Sequence, residues 1–201
     1  MGKILQGTDT VVEYIDFQEG LEPAVRQVAK LIGREDKVDA LLEKYNKALT
    51  KAQKQMPKEL GKKVLILNGT YQKDTGKVSL RVEAPGLYSD RFFLTPMGCT
   101  NVGDAFRPAD GKAIKGYYPV KKNKGGMVLQ PLLKANPDLL VITGNAFAVQ
   151  KALADAIENN PDLANVPAVK NHALFHLPLY VDSSLLEFPH ILLQWSVALG
   201  H

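Results

Sequence analysis

The tetrapeptide Ala135-Asn136-Pro137-Asp138, set between an amphipathic stretch and an apolar run over 139–143, does most to fix the fold class of this chain. Pro137 cannot continue a helix, and it biases Asn136 away from the helical region. The spacing therefore predicts a helix over 127–135 that ends just before a buried strand. Residues 62–69 form a second apolar run closed by a Gly turn, the usual opening of a parallel α/β sheet whose two faces are both covered.

The rest of the pattern fits that frame. A β-rich segment over 11–16 reads as a short strand, followed by helices over 21–32 and 36–55 with apolar stripes along one side. Strict alternation over 77–83 predicts a strand with one wet face, with 91–94 as its hairpin partner across Pro85-Gly86. Gly, Lys and Pro dominate 107–126, which reads as a long surface loop. A helix over 146–158, a strand over 173–177 and a final helix over 183–199 complete an alternation that argues a doubly wound sheet. The expected fold is α/β: a single Rossmann-like lobe with a mainly parallel sheet over 62–201, preceded over 1–61 by a short strand and linker helices. Val64, Ile66, Leu140, Val141, Ile142 and Phe175 are its expected core.

Composition narrows the function classes. The chain has 201 residues, 45% hydrophobic and 23% charged, with a net charge of +4. Its lysines are spread over helix faces and one loop rather than gathered with aromatics into a groove, so nucleic-acid binding is disfavoured. Cys99 is the single cysteine and excludes an internal disulfide framework. No apolar run approaches the ~20 residues that span a bilayer. The first residues lack the apolar core and cleavage site of a secretory signal, so the chain as written would stay where it is made.

Several segments together carry a family resemblance. "VAKLIGREDKVDALLEKYNKAL", the strand over 65–69, "MGCTNVGDAF", "LLKANPDLLVITG", "PAVKNHALFHLP" and "SSLLEFPHILLQWSVALGH" occur in this order. The set resembles the carboxy-terminal lobe and linker helix of the substrate-binding proteins that serve siderophore, haem and cobalamin importers of the ABC class. Cys99 stands in place of the second glycine of that family's glycine-glycine-x-asparagine-valine turn. The resemblance implies one lobe of a two-lobed binder working on the periplasmic or extracellular face. Its ligand would be a ferric siderophore, haem or a corrinoid such as cobalamin, and its partner an ABC importer permease. The family often carries a permease-docking glutamate before "ANPD"; here Gln130 occupies the place, and an amide lacks the charge-assisted pairing of a carboxylate.

Ligands of open parallel sheets meet the loops at the carboxyl ends of strands, which selects 68–72, Gly144-Asn145 and 178–184. Tyr71, Asn145, Tyr180 and Asp182 lie there, and the tyrosines suit a planar or chelated ligand while also reading as half-buried packing residues. Arg91 stands where siderophore binders of the family place a cationic contact, and it also reads as a solvated hairpin arginine. Asp182 competes with Ser183-Ser184 to cap the final helix.

His172 and His176 flank a strand and would lie ~13 Å apart along it, too far to share one ion. No metal site and no resident cofactor are expected. No nucleophile–base pair, carboxylate pair or phosphate loop is legible, so the expected activity is binding rather than catalysis. A stand-alone dimerising module and an enzyme on a Rossmann-like scaffold are the alternatives. An absent amino-terminal lobe would leave Val25, Leu31, Tyr71 and Tyr180 uncovered, and a homodimer is the expected consequence.

Overall fold

The computed structural model describes residues 7–16, 19–178 and 185–201. In chain order the elements are α1 (Leu21–Leu31), α2 (Val38–Gln55), β1 (Lys63–Gln72), β2 (Lys77–Glu83), β3 (Thr100–Asn101), β4 (Tyr117–Pro119), β5 (Lys122–Asn123), β6 (Gly126–Met127), α3 (Pro131–Ala135), β7 (Leu139–Gly144), α4 (Ala146–Asn159), α5 (Pro167–Lys170), β8 (Leu174–His176) and α6 (Phe188–Gly200). They fall into two compact units, Met1–Ala48 and Leu49–His201.

In the first unit Ala29 of α1 packs on Val38 and Leu42 of α2, with Val25 beside them. Arg26 bridges Glu22 and Asp39 on the wet side. Residues 11–16 form no strand, contrary to expectation. A β-rich segment needs a partner ladder, and here Val11 and Tyr14 are 78% and 83% exposed; Gln27 Nε2 donates to the Tyr14 carbonyl at 2.8 Å.

The second unit is a six-stranded sheet in the order β4-β2-β1-β7-β8, with β3 alongside the start of β1. β3, β7 and β8 run parallel to their neighbours, while β2 and β4 are antiparallel. Alternate residues of the central strands serve opposite cores. Leu65, Leu67, Leu140 and Ile142 pack with α4, Leu132 and Leu163 on one face. Val64, Ile66, Leu139 and Val141 pack with α6, Phe93, Leu94 and Ala52 on the other. Trp195 is fully buried there, its ring stacked 4.3 Å from that of Phe93. Of the expected core only Phe175 is part-buried, because β8 is an outer strand.

The "ANPD" segment works as its chemistry requires. Asn136 adopts the left-handed conformation (φ 43°) that closes α3, its N–H donating to the Leu132 carbonyl. Asp138 then clamps the start of the sheet: its N–H donates to the Lys63 carbonyl, and its Oδ2 accepts from the Lys63 N–H, both at 2.8 Å. That reciprocal pair sets the register Val64↔Leu139.

Four other expectations are corrected. Gly69 is not a turn: β1 runs on to Gln72 and pairs with β2 through a tight hairpin. Residues 91–94 are not that hairpin's partner, because Asp90–Leu94 winds into a π-helical turn that buries Phe93 and Leu94. The stretch 107–126 carries β4, whose Tyr118 is buried with its hydroxyl on Asp104 Oδ1 at 2.9 Å, and the β5–β6 hairpin. α3 covers only Pro131–Ala135, since Val128 upstream donates its N–H to Lys121 in extended backbone. The predicted start of the last helix, Ser183, lies outside the described residues.

Glu83, 3% exposed, is the buried carboxylate of the sheet, and it accepts from the Ser89 N–H (3.0 Å) and Oγ (2.9 Å). Burial pushes its pKa up, opposed by the Ser89 hydrogen bonds and helped by the charge of Asp90. Two predictions follow from these groups. Asp138→Ala removes the partner of the Lys63 N–H and should cost about 1–2 kcal/mol in urea unfolding, with Asp138→Asn losing less; equal losses would discard the clamp. For an acid whose folded pKa is raised, ionisation penalises the fold, so the penalty is absent at acid pH and grows as pH rises through the carboxylate range. Glu83→Gln should therefore gain stability relative to the parent between about pH 4 and pH 8, and unfolding midpoints measured across that range check it.

Candidate functional site

Strands β1 and β7 reach the carboxyl edge of the sheet side by side at Gly69↔Gly144, and α4 begins immediately beyond. The crossing is so close that side chains are excluded. A Cβ on Gly69 would lie 2.6 Å from the Asn145 carbonyl oxygen and 2.8 Å from Val149 Cγ2. Gly144 has φ +72°, and a Cβ there would lie 2.7 Å from the Gly69 carbonyl oxygen. Asn145 completes the corner: its N–H donates to Gly69 O at 2.8 Å, and its side-chain oxygen accepts from the Ala148 N–H at 2.8 Å as the cap of α4. From the outer strand, His176 Nε2 sits 3.0 Å from the Gly144 carbonyl oxygen, so that nitrogen carries the proton.

One pleat below this corner lies a buried polar relay. Thr143 Oγ1 is 3.4 Å from the Leu67 carbonyl oxygen, Asn68 Nδ2 donates to Thr143 Oγ1 at 3.0 Å, and Arg81 Nε donates to Asn68 Oδ1 at 2.9 Å. Asn68 and Thr143 are 7% and 0% exposed in strands whose other inward residues are apolar, while Arg81 reaches solvent. Its Cζ lies 4.0 Å from the ring centroid of Tyr117, on the neighbouring strand β4.

Strand parity puts Tyr71 on the opposite face of the sheet from Asn68, and there its ring meets Phe147 of α4 edge-on at 5.1 Å. The edge is thus aromatic on one flank and cationic on the other. Of the residues expected here, Tyr71 and Asn145 lie at this edge, Tyr71 as the penultimate residue of β1. Tyr180 and Asp182 lie outside the described residues. Arg91 is exposed in the Asp90–Leu94 turn, its Cζ 5.5 Å from the Phe92 ring, and no hydrogen bond ties it to the relay. Gln130 is exposed just before α3, at a recess of about 240 Å³ that it lines with Asn123, Asn159 and Asn160.

Reading the sequence missed Arg81, Thr143, Phe147 and the structural role of His176. Arg81 could have been found only from the hairpin register Asn68↔Arg81, which the glycine at 69 disguised. Among the described residues no group of His, Cys, Asp and Glu is arranged to hold a metal ion, and burial raises the Cys99 thiol pKa.

The sequence matches the model of the periplasmic binding protein family over residues 4–181. The chain belongs to that family. No curated protein sequence matches it, but solved structures do. This periplasmic binding protein superposes with TM-score 0.58 and 16% identity on the periplasmic haem-binding protein RhuT of Roseiflexus sp. RS-1, covering 90% of its own length and 62% of RhuT. Against the periplasmic haem-binding protein HutB of Vibrio cholerae the TM-score is 0.58 at 18% identity, with 97% and 70% covered. Against the petrobactin-binding protein YclQ of Bacillus subtilis it is 0.50 at 18% identity, with 90% and 58% covered. The chain thus has the family fold and spans about two thirds of the length of these structures.

The glycine corner generates a test. Gly69→Ala forces Asn145 and Val149 away from β1 and should cost about 1–3 kcal/mol. Gly125→Ala, whose Cβ would meet nothing closer than 3.4 Å, should cost clearly less. Thermal melts of the two variants decide the point.

Proposed function

We propose that this chain is the carboxy-terminal lobe of a substrate-binding protein that captures haem or a ferric siderophore and presents it to an ABC importer permease. The observation that carries the reading is the carboxyl edge itself. It brings the Tyr71–Phe147 pair and the Arg81–Asn68–Thr143 relay to one rim of a sheet with the family fold, where a planar, charged chelate finds both an apolar wall and a polar one. Haem leads the candidates because RhuT and HutB are haem-binding proteins, and siderophores follow because YclQ binds petrobactin. Cobalamin belongs on the same panel. Tyr71, Arg91 and Asn145, with Tyr180 and Asp182, are the ligand-facing candidates, and Gln130 is the candidate contact with the permease.

The site as described is one wall of a cleft. An exposed wall gives neither enclosure nor the exclusion of water that tight binding needs. The second wall comes from a further lobe or from a second copy of the chain, and the protein works on the outer face of the cytoplasmic membrane. Val28, Leu31 and Ile32 leave an apolar strip on α1, 38%, 51% and 65% exposed, which favours a homodimer for the chain by itself.

Trp195 is the single tryptophan, and its Nε1 donates to the Pro178 carbonyl at 3.0 Å, just beyond β8. Its emission therefore senses the carboxyl edge. Titration with haem, ferric hydroxamate and catecholate siderophores, and cobalamin should give saturable quenching by haem or a ferric siderophore, with a Kd weaker than about 1 μM. A flat response to every chelate sinks the binding function. Submicromolar affinity in a sample that sediments as a monomer sinks the single-wall reading instead.

A further inference from the structure

We infer that Arg81 is the anion-reading residue of this edge, with Asn68 and Thr143 as its positioning residues, so that the ligand presents a carboxylate or comparable oxyanion there. The inference rests on the edge being the ligand site.

The direction of the relay is forced by its far end. The Leu67 carbonyl can only accept, so the Thr143 hydroxyl points its hydrogen there and offers its oxygen to Asn68 Nδ2. That fixes the Asn68 amide, leaving Oδ1 aimed at Arg81 Nε. The guanidinium is held twice, by this hydrogen bond at 2.9 Å and by the Tyr117 ring at 4.0 Å.

Among the described residues nothing acidic neutralises it. Arg81 is absent from the ion pairs among the described residues. Glu83 shares its face of β2, yet that carboxylate is taken by the Ser89 N–H and Oγ. Asp90 accepts from the Gly86 N–H. The terminal guanidinium nitrogens make no hydrogen bond to a described residue, and they are the pair that meets an oxyanion bidentately.

Packing alone does not account for this arrangement. A buried amide costs free energy unless its hydrogen bonds are met, and an apolar residue at 68 would suit a strand covered on both faces. The relay spends that cost on orienting one exposed side chain, whose conformational freedom is then already surrendered before a ligand arrives. A fixed, unpaired arginine beside a sheet edge discriminates by charge: it favours haem through its propionates, and carboxylate siderophores, over neutral analogues of the same shape.

Two probes test the inference separately from the chelate reading. In the first, the Arg81 Nε–Hε NMR signal, assigned by its loss in Arg81→Lys, is followed during titration with citrate. A saturable shift is expected. Asn68→Asp keeps an oxygen toward Nε but supplies the missing counter-charge, and it should weaken citrate binding at least ~10-fold, with Trp195 emission reporting that the fold is kept. An unmoved Arg81 signal, or Asn68→Asp binding citrate as the parent does, overturns the inference.

The second probe compares haem with its dimethyl ester. The parent should prefer haem, and Arg81→Gln should bind the two alike. Equal binding of both by the parent overturns the anion seat while leaving the chelate-binding lobe in place. A saturable citrate shift from a chain that binds no chelate at all supports the seat and removes the chelate.

Discussion

The reciprocal pair between Asp138 and Lys63 is the constraint on which the rest of the sheet depends. Strands β1 and β7 are buried on both faces, so hydrophobic alternation gives only weak guidance to their register. A slide by one residue would still put leucine, valine or isoleucine at most inward positions. What it would not preserve is polar geometry at the two ends. At one end the carboxylate and N–H of Asp138 fit only the backbone of Lys63, a residue 75 positions away in sequence. At the other end the same register brings Asn68 beside Thr143 and Gly69 beside Gly144. The clamp and the site are opposite ends of one ruler.

That dependence explains what could be read without coordinates and what could not. Signals confined to a few neighbouring residues were legible: Pro137 ending a helix, the apolar runs of β1 and β7, and the amphipathic stripes of α2 and α4. The Asp90–Leu94 turn defeated the same reading because Arg91-Phe92-Phe93-Leu94 has the composition of a strand, while tertiary packing decided for a helical turn that sinks Phe93 against Trp195. Gly69 misled for a related reason. Glycine marks both turns and places where another backbone comes close, and only the position of α4 distinguishes them. Tyr71 and Asn145 were within reach because a strand-end rule finds them. Arg81 was not, since its partner sits across a hairpin whose existence the glycine obscured.

The turn at Gly98-Cys99-Thr100-Asn101 shows how little of a family's pattern is strictly required by geometry. Gly98 has φ +71°, and a Cβ there would lie 2.8 Å from Glu59 Cα, so only glycine fits. Cys99, in ordinary backbone, needs merely to be small and apolar. Asn101 is needed for two bonds, its Oδ1 taking the Gly103 N–H at 2.8 Å and its Nδ2 reaching the Glu83 carbonyl at 3.5 Å. The turn after β3 is thereby tied to the end of β2, at the same carbonyl that a Cβ on Gly103 would strike at 2.4 Å.

The outer strands have a bearing on how such a chain survives at high concentration. Both β4 and β8 are three residues long, and β4 ends in Pro119, which has no amide hydrogen to offer a passing strand. A rim so short and so poor in free donors makes a bad template, and it blunts the edge-to-edge growth by which open sheets become fibrils.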